Sequence, residues 1–298
     1  MQKNWDDLRV FLAVAREESL SAAGKTLRLD PATVGRRIQR LETTLQASLF
    51  VKSPQGYALT EAGTTLRDRA EHAERAMRGA VAELPTPHDT LSGQIRIGAP
   101  DGAANFLLPQ VCAALGEAHP ELELQIVALP RVFNLSRREA DMAVAVSAPT
   151  AGRLIVKKIT DYQLHMAASV DYLTAHPPVR HADDLAGHRI VGYIPDMIFD
   201  RELDYLADLG VPRTNLASNS VAVQLNLIRQ GGGIGVVHDF ALPFAPGVRK
   251  LLPHEVSLRR SFYLIRHEDD RRNLRLTRFA DALANGIREE VARLESLT

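Results

Sequence analysis

Thr33, Arg36, Arg37, Arg40 and Thr44 recur at a spacing that gathers them on one face of a helix. Guanidinium groups in such a row do one kind of chemistry well. A planar arginine fork pairs in two places with a guanine edge, and any cation on the same surface can neutralise a phosphate. The opposite face carries Val34, Ile38, Leu41 and Leu45 at i, i+4, i+7 and i+11, a stripe that must be buried. Asp30 followed by Pro31 sets the start of this helix, because Asp caps the free N–H groups and Pro fits the first turn. A capped helix with an apolar back and an arginine front fits the major groove of DNA. An isolated helix of this kind would be an ordinary solvated amphipathic segment; its neighbours argue otherwise. Between Lys25 and Lys52 the basic residues are Lys25, Arg28, Arg36, Arg37, Arg40 and Lys52, against the acids Asp30 and Glu42. Positive charge thus collects where counterion release would use it, although the whole chain has a net charge of zero.

Other chemistries fit less well. The cluster Gly231-Gly232-Gly233-Ile234-Gly235 follows a helical pattern and opens an apolar strand. A phosphate-binding loop has the reverse order and needs a Lys-Ser/Thr pair that is absent, so the cluster is expected to end a helix. The ten histidines are scattered, and neither HxxxH nor CxxC occurs, so no metal site and no cofactor is expected. His165, His238 and Asp239 could suggest acid–base work, but no serine lies in a nucleophile elbow, and no catalytic residue is assigned. Asp183 and Asp184 lie in a polar helix-start region and are expected to be solvated. The single cysteine, Cys112, excludes an intramolecular disulfide and sits among apolar residues as a small hydrophobe. No leader precedes the first helix, and no apolar run reaches the ~20 residues of a membrane span, so a cytoplasmic protein without a membrane partner is expected.

The elements that must position the arginines follow from the same patterns. Leu8, Phe11, Leu12 and Ala15 form the stripe of a first helix, and Ser21 is expected to cap a second. Two short strands, Leu49–Lys52 and Tyr57–Leu59, joined through Pro54 and Gly56, read as a wing that presents Lys52. From Thr60, a plausible cap, a long helix runs to about Leu84. Leu66, Ala70, Ala73, Met77, Ala80 and Leu84 give it a heptad seam suited to a partner helix. Pro85 to Asp89 then breaks the helix.

Beyond residue 92 the pattern becomes α/β with largely parallel sheet. Strands are expected at Gln94–Ala99, Glu123–Leu129, Met142–Val146, Gln163–Ala168, Arg189–Tyr193, Leu216–Ser218, Ile234–Val237 and Ser261–Arg266. A helix is expected at Phe106–His119, and Leu276, Phe279, Leu283, Ile287, Val291 and Leu294 mark a terminal one. Some 200 residues of this texture are enough for two subdomains.

The chain resembles LysR-type transcriptional regulators from end to end. The residues carrying the resemblance begin with Phe11, Ala22-Ala23, Leu27, Val34, Ile38, Leu41-Glu42, Leu45, Leu49-Phe50 with Lys52, Leu59-Thr60 and Ala62-Gly63. His119-Pro120, Arg138 to Ala143 and Gly233 to Val237 continue it. The resemblance implies a winged helix-turn-helix over 1–59, a linker helix over 60–84 that pairs protomers, and a hinge over 85–92. An effector domain like a periplasmic binding protein would fill 93–298, with lobe I at 93–161 and 267–298 and lobe II at 162–266. Its crossings would fall near Asp161–Tyr162 and Phe262–Arg266. It further implies a homodimer or homotetramer on an interrupted palindromic operator in double-stranded DNA, a small effector, and RNA polymerase as a partner. Asp30-Pro31 replaces the family's common Ser-Gln, Gly35 replaces a frequent DNA-contacting Ser, and Arg37 stands where Gln is frequent. The candidate DNA contacts are therefore Ala32, Thr33, Gly35, Arg36, Arg37, Arg40 and Lys52, with Arg36 and Arg37 reading bases and Arg40 and Lys52 holding phosphates. The competing interpretation is a small-molecule-binding or metabolic α/β protein whose N-terminal helices serve assembly only.

Ligands of two-lobed α/β domains bind beyond the carboxyl ends of strands, where helix N-termini point. Pro100, Asp101, Gly102, Arg131, Ser147, Tyr193, Asn219, Ser220 and His238 meet that description here. Arg131 and the helix start at Ser220 favour a carboxylic acid, while Asp101 would pair with an amine or hydroxyl on the same ligand.

Overall fold

The computed structural model describes residues 5–53, 56–82, 91–128, 140–150, 152–209 and 214–298. Two compact units divide the chain, Met1–Pro85 and Thr86–Thr298.

In the first unit, α1 (Trp5–Glu17), α2 (Leu20–Leu27) and α3 (Pro31–Leu45) pack through Val10, Phe11, Val14, Ala23, Val34, Ile38 and Leu41. Each large aliphatic side chain buried this way stabilises the unit by about 1.5–3 kcal/mol. Asp30 caps α3, its Oδ1 accepting from Ala32 N at 2.8 Å. The cap of α2 is Ser19 and not Ser21, with Ser19 Oγ accepting from Ala22 N at 3.4 Å. Both serines suit a cap, and packing against α1 chooses the earlier one. β1 (Phe50–Ser53) and β2 (Gly56–Leu59) form an antiparallel pair. Glu42 holds it to α3 by accepting from Leu49 N at 2.7 Å. Thr60 Oγ1 accepts from Gly63 N at 2.9 Å and so caps α4 (Glu61–Ala82). Of the heptad seam, Ala70 is buried, Leu66 and Ala73 are half-buried and Met77 is exposed; Leu84 lies outside the described residues. So do the hinge residues 85–90.

Among the described residues the strands of the second unit form one nine-stranded sheet. Its strands are β3 (Gly93–Ala99), β4 (Leu122–Ala128), β5 (Met142–Ala145), β6 (Leu154–Ser169), β7 (Ile190–Gly192), β8 (Leu216–Ala217), β9 (Ile234–His238), β10 (Val248–Leu251) and β11 (Ser257–His267). They lie in the order β4-β3-β5-β11-β6-β9-β7-β8, with β10 also on β6. The outer pairings are parallel, as expected, but β6 runs antiparallel to β9, β10 and β11, and β5 to β11. The sheet is therefore mixed, because β6 and β11 are long strands that run through both halves. Only Gln163–Ala168 of β6 is legible as a strand, since Lys157, Lys158, Thr160 and Asp161 interrupt its apolar pattern. A bulge interrupts the β6–β11 ladder between Phe262 and Tyr263. Beside it Asp161 accepts from Ser261 Oγ at 2.5 Å and Arg259 Nη2 at 2.6 Å, and pairs with Lys158 Nζ at 2.6 Å. The Lys158 bond leads these partners in holding the Asp161 carboxyl down to about 2.

Helices cover the sheet: α5 (Asp101–Phe106), α6 (Leu108–Ala118), α7 (Val170–Ala175), α8 (Tyr205–Asp208), α9 (Val221–Arg229) and α10 (Leu274–Glu295). The expected helix at Phe106–His119 is α6, Leu108–Ala118; the short α5 before it ends at Phe106, and Pro109 lacks the N–H that would carry α5 onward. The glycine cluster does end a helix. Gly233, at φ +153, passes so close to β7 that an added Cβ would sit 2.3 Å from the Arg189 carbonyl oxygen.

Candidate functional site

The arginine face of α3 stands on a rigid base. Ala32 and Arg36 are exposed, Thr33, Gly35 and Arg37 half-buried. Arg36 Nη2 donates to Thr33 Oγ1 at 3.0 Å, which steadies the guanidinium one turn above its neighbour. Gly35 lies against α2, where an added Cβ would be 3.4 Å from Leu20 Cδ1. Lys52, on β1, is exposed.

Arg40 has a partner that local sequence patterns did not indicate. Its Nε donates to Asp7 Oδ2 at 2.8 Å and its Nη2 to Asp7 Oδ1, while Arg37 Nη1 lies 3.8 Å from the same carboxylate and 3.9 Å from Asp6. Asp7 is 4% exposed. The base of α1 therefore offsets part of the positive charge of this face, and Arg40 meets a phosphate with the donors that Asp7 leaves over. The signal for Asp7 was present, an acid one turn ahead of Phe11 in the buried stripe of α1.

In the second unit, six of the nine residues expected at a ligand cleft line one crevice: Pro100, Asp101, Gly102, Tyr193, Asn219 and His238. It is nearly closed, with a volume of about 10 Å³. Ser220 joins through the carboxylate of Asp101, whereas Ser147 bonds to Asp200, which is outside the lining. Ser220 Oγ donates to Asp101 Oδ2 at 3.0 Å, as does Ala222 N at 3.0 Å, and Ser147 Oγ donates to Asp200 Oδ2 at 2.5 Å. Arg131 lies outside the described residues. Helix position explains the first set: Ser220 caps α9, and Asp101, in the first turn of α5, reaches across to the free N–H groups at that end.

His238 is 3% exposed. Its Nε2 lies 3.3 Å from Tyr205 Oη, and among the described residues its Nδ1 has no hydrogen-bond partner. Burial pushes the imidazole down to about 3, so it is neutral near pH 7. Asp239 does not serve it. That carboxylate binds His165 Nδ1 at 2.8 Å and Lys250 Nζ at 2.7 Å. Apart from Tyr193, the aromatic part of the wall escaped the sequence reading. Tyr205 and Phe262 border the crevice, Tyr193 meets Tyr205 edge-on at 5.9 Å, and Tyr162 stacks on Phe262 at 4.2 Å. A second cavity of about 510 Å³ shares Tyr193, Leu203 and Tyr205 with the first and adds Asp204 and Gln224.

Comparison with known proteins places these features in context. Residues 5–64 match the bacterial regulatory helix-turn-helix of the LysR family, and residues 88–288 match the LysR substrate binding domain. The transcriptional regulator CrgA of Neisseria meningitidis serogroup C is 26% identical over 293 residues, 96% of this chain and 98% of that protein. PtxR of Pseudomonas aeruginosa, also a transcriptional regulator, is 28% identical over 242 residues, 80% of this chain and 77% of that one. Solved structures share the fold. CrgA itself aligns with TM-score 0.58 at 24% identity over 96% of this chain and 99% of its own. The Vibrio cholerae virulence activator AphB aligns with TM-score 0.57 at 22% identity, covering 95% of this chain and 99% of its own.

Proposed function

This chain belongs to the LysR family of transcriptional regulators, and on that premise we propose which of its residues read DNA and which take the effector. Arg36 and Arg37, flanked by Ala32, Thr33 and Gly35, contact base edges; Arg40 and Lys52 contact phosphates. The observation that carries this reading is the geometry of α3, whose Asp30 cap and buried Val34, Ile38 and Leu41 leave the arginine row facing outward. The α4 seam pairs two protomers, so that two α3 helices meet the half-sites of an interrupted palindrome. Residues 1–59, 60–84, 85–92 and 93–298 act as DNA reader, linker helix, hinge and effector domain. Within the last, lobe I comprises 93–161 and 267–298, and lobe II 162–266. A small organic effector enters the crevice between Asp101, Tyr193, Asn219 and His238, and the response passes to RNA polymerase in the cytoplasm. Among the described residues no helix is long and apolar enough to cross a membrane.

The test is quantitative footprinting on DNA upstream of the chain's own gene. Arg36→Ala should cost about 1–3 kcal/mol and relax preference at one base position. Lys52→Ala should weaken binding to all sequences alike and lower the salt slope by about one. Intact affinity and selectivity in Arg36→Ala would remove α3 from base reading. A flat salt dependence of wild-type binding would favour N-terminal helices that serve assembly only.

A further inference from the structure

We infer that the effector of this protein is a small organic cation, and that Asp101 is the carboxylate that receives it. The inference rests on the crevice being the effector site and concerns the charge that site selects.

The N-terminus of α9 is where a ligand carboxylate would bind, because free N–H groups and the cap hydroxyl converge there. In this chain the place is taken. Asp101 Oδ2 accepts from both Ser220 Oγ and Ala222 N at 3.0 Å, the donors such an anion would use, and Asp101 Oδ1 accepts from Asn105 Nδ2 at 3.1 Å. A second carboxylate brought beside Asp101 would lack those donors and meet a like charge in a dry crevice. Of the two observations that favoured an organic acid, the helix start at Ser220 is thereby spent.

The rest of the wall points the same way. Among the described residues no lysine or arginine lines the crevice or the adjoining 510 Å³ cavity; their acidic lining residues are Asp101 in the first and Asp204 in the second. Buried His238 stays neutral and adds no positive charge. Arg260 stands 6.0 Å from the Tyr205 ring, but its Nε is engaged by Glu202 Oε2 at 2.9 Å. What remains is aromatic: Tyr193 and Tyr205 form the wall shared by both spaces, with Phe262 behind. Aromatic side chains beside one carboxylate are suitable surroundings for an ammonium group, which gains from ring quadrupoles and from a charge-assisted hydrogen bond together.

Benzylamine and benzoate, of similar shape and opposite charge, serve as probes against the full-length protein in calorimetry and thermal-shift assays. Benzylamine should bind and stabilise the wild type by opening the crevice, which at about 10 Å³ is too small to hold it as it stands, and benzoate should not. Asp101→Asn should weaken benzylamine about tenfold or more and improve benzoate. Benzoate binding the wild type as well as benzylamine does would overturn the inference. So would a preference unchanged by Asp101→Asn, including no response of either protein to either probe. Gly102→Val separates this failure from failure of the site itself. A Cβ at Gly102 already sits 3.6 Å from the His238 ring, so valine fills the crevice. Benzoate binding that Gly102→Val abolishes would leave the crevice as the site and reject the cation. Benzylamine binding that Gly102→Val leaves untouched would reject both.

Discussion

Acid should destabilise the larger unit through His238. Burial holds this imidazole at about 3, against 6.5 for an ordinary histidine. Above about pH 6.5 the side chain is neutral in both folded and unfolded chains and contributes no pH dependence. Below it the unfolded chain takes up a proton that the folded chain refuses, so stability falls by about 1.4 kcal/mol per pH unit until the folded value is reached. Between pH 6.5 and 5 the loss is about 2 kcal/mol, roughly 4–8 °C in Tm for a unit of this size. Burial lowers His188 in the same direction, so the contribution of His238 is read by subtraction. His238→Gln keeps a group that can bond to Tyr205 and has nothing to protonate. Urea unfolding followed by circular dichroism should show the wild type losing about 2 kcal/mol more than the variant over this interval. The single tryptophan, Trp5, lies in α1 of the other unit, and its fluorescence should report the same transition in both proteins. Equal loss in wild type and variant would refute the reasoning, because burial would then not be keeping the imidazole neutral.

Four further outcomes follow from the geometry. Replacing Ala73 and Met77 by Glu places charge in the α4 seam; sedimentation should show a smaller species, and an unchanged assembly would reject the seam as the interface. Gly63→Ala would put a Cβ 2.0 Å from the Leu49 carbonyl oxygen and should destabilise the N-terminal unit by about 1–3 kcal/mol. Gly116→Ala, in α6 with nothing within 4 Å of the new Cβ, should stabilise by about 0.4–1 kcal/mol; thermal melts compare the two. Burial pushes the Cys112 thiol up to about 11, so iodoacetamide should label it at least about a hundredfold more slowly than a free thiol near neutral pH.

Features written in adjacent residues were legible in the sequence, and features made by distant partners were not. Asp30-Pro31 and the 3.6-residue period fixed the start and both faces of α3, and the rule that ligands sit beyond strand ends led to six crevice residues. Asp7 and Arg40 are 33 positions apart, and Asp101 and Ser220 are 119 apart. No local pattern announces that one member of each pair satisfies the other. Tyr205 belongs to a four-residue helix too short to show a period, and Phe262 alternates in its strand like any core residue. Asp184 was expected to be solvated; it is exposed, but its Oδ2 also accepts from Arg180 N at 2.7 Å and His181 N at 3.0 Å, a local cap that composition does not reveal.

The two long strands that run through the sheet have a mechanical consequence. β6 and β11 stay paired from His165 opposite Ser257 to Leu154 opposite His267. Stretching such a ribbon, or sliding one strand along the other, would break a row of hydrogen bonds at once. Twisting it breaks none, and a bulge is where added twist is taken up most easily. The bulge between Phe262 and Tyr263 lies beside the Asp161 clamp, and Phe262 also borders the crevice. The ribbon is thus easiest to twist where it borders the crevice.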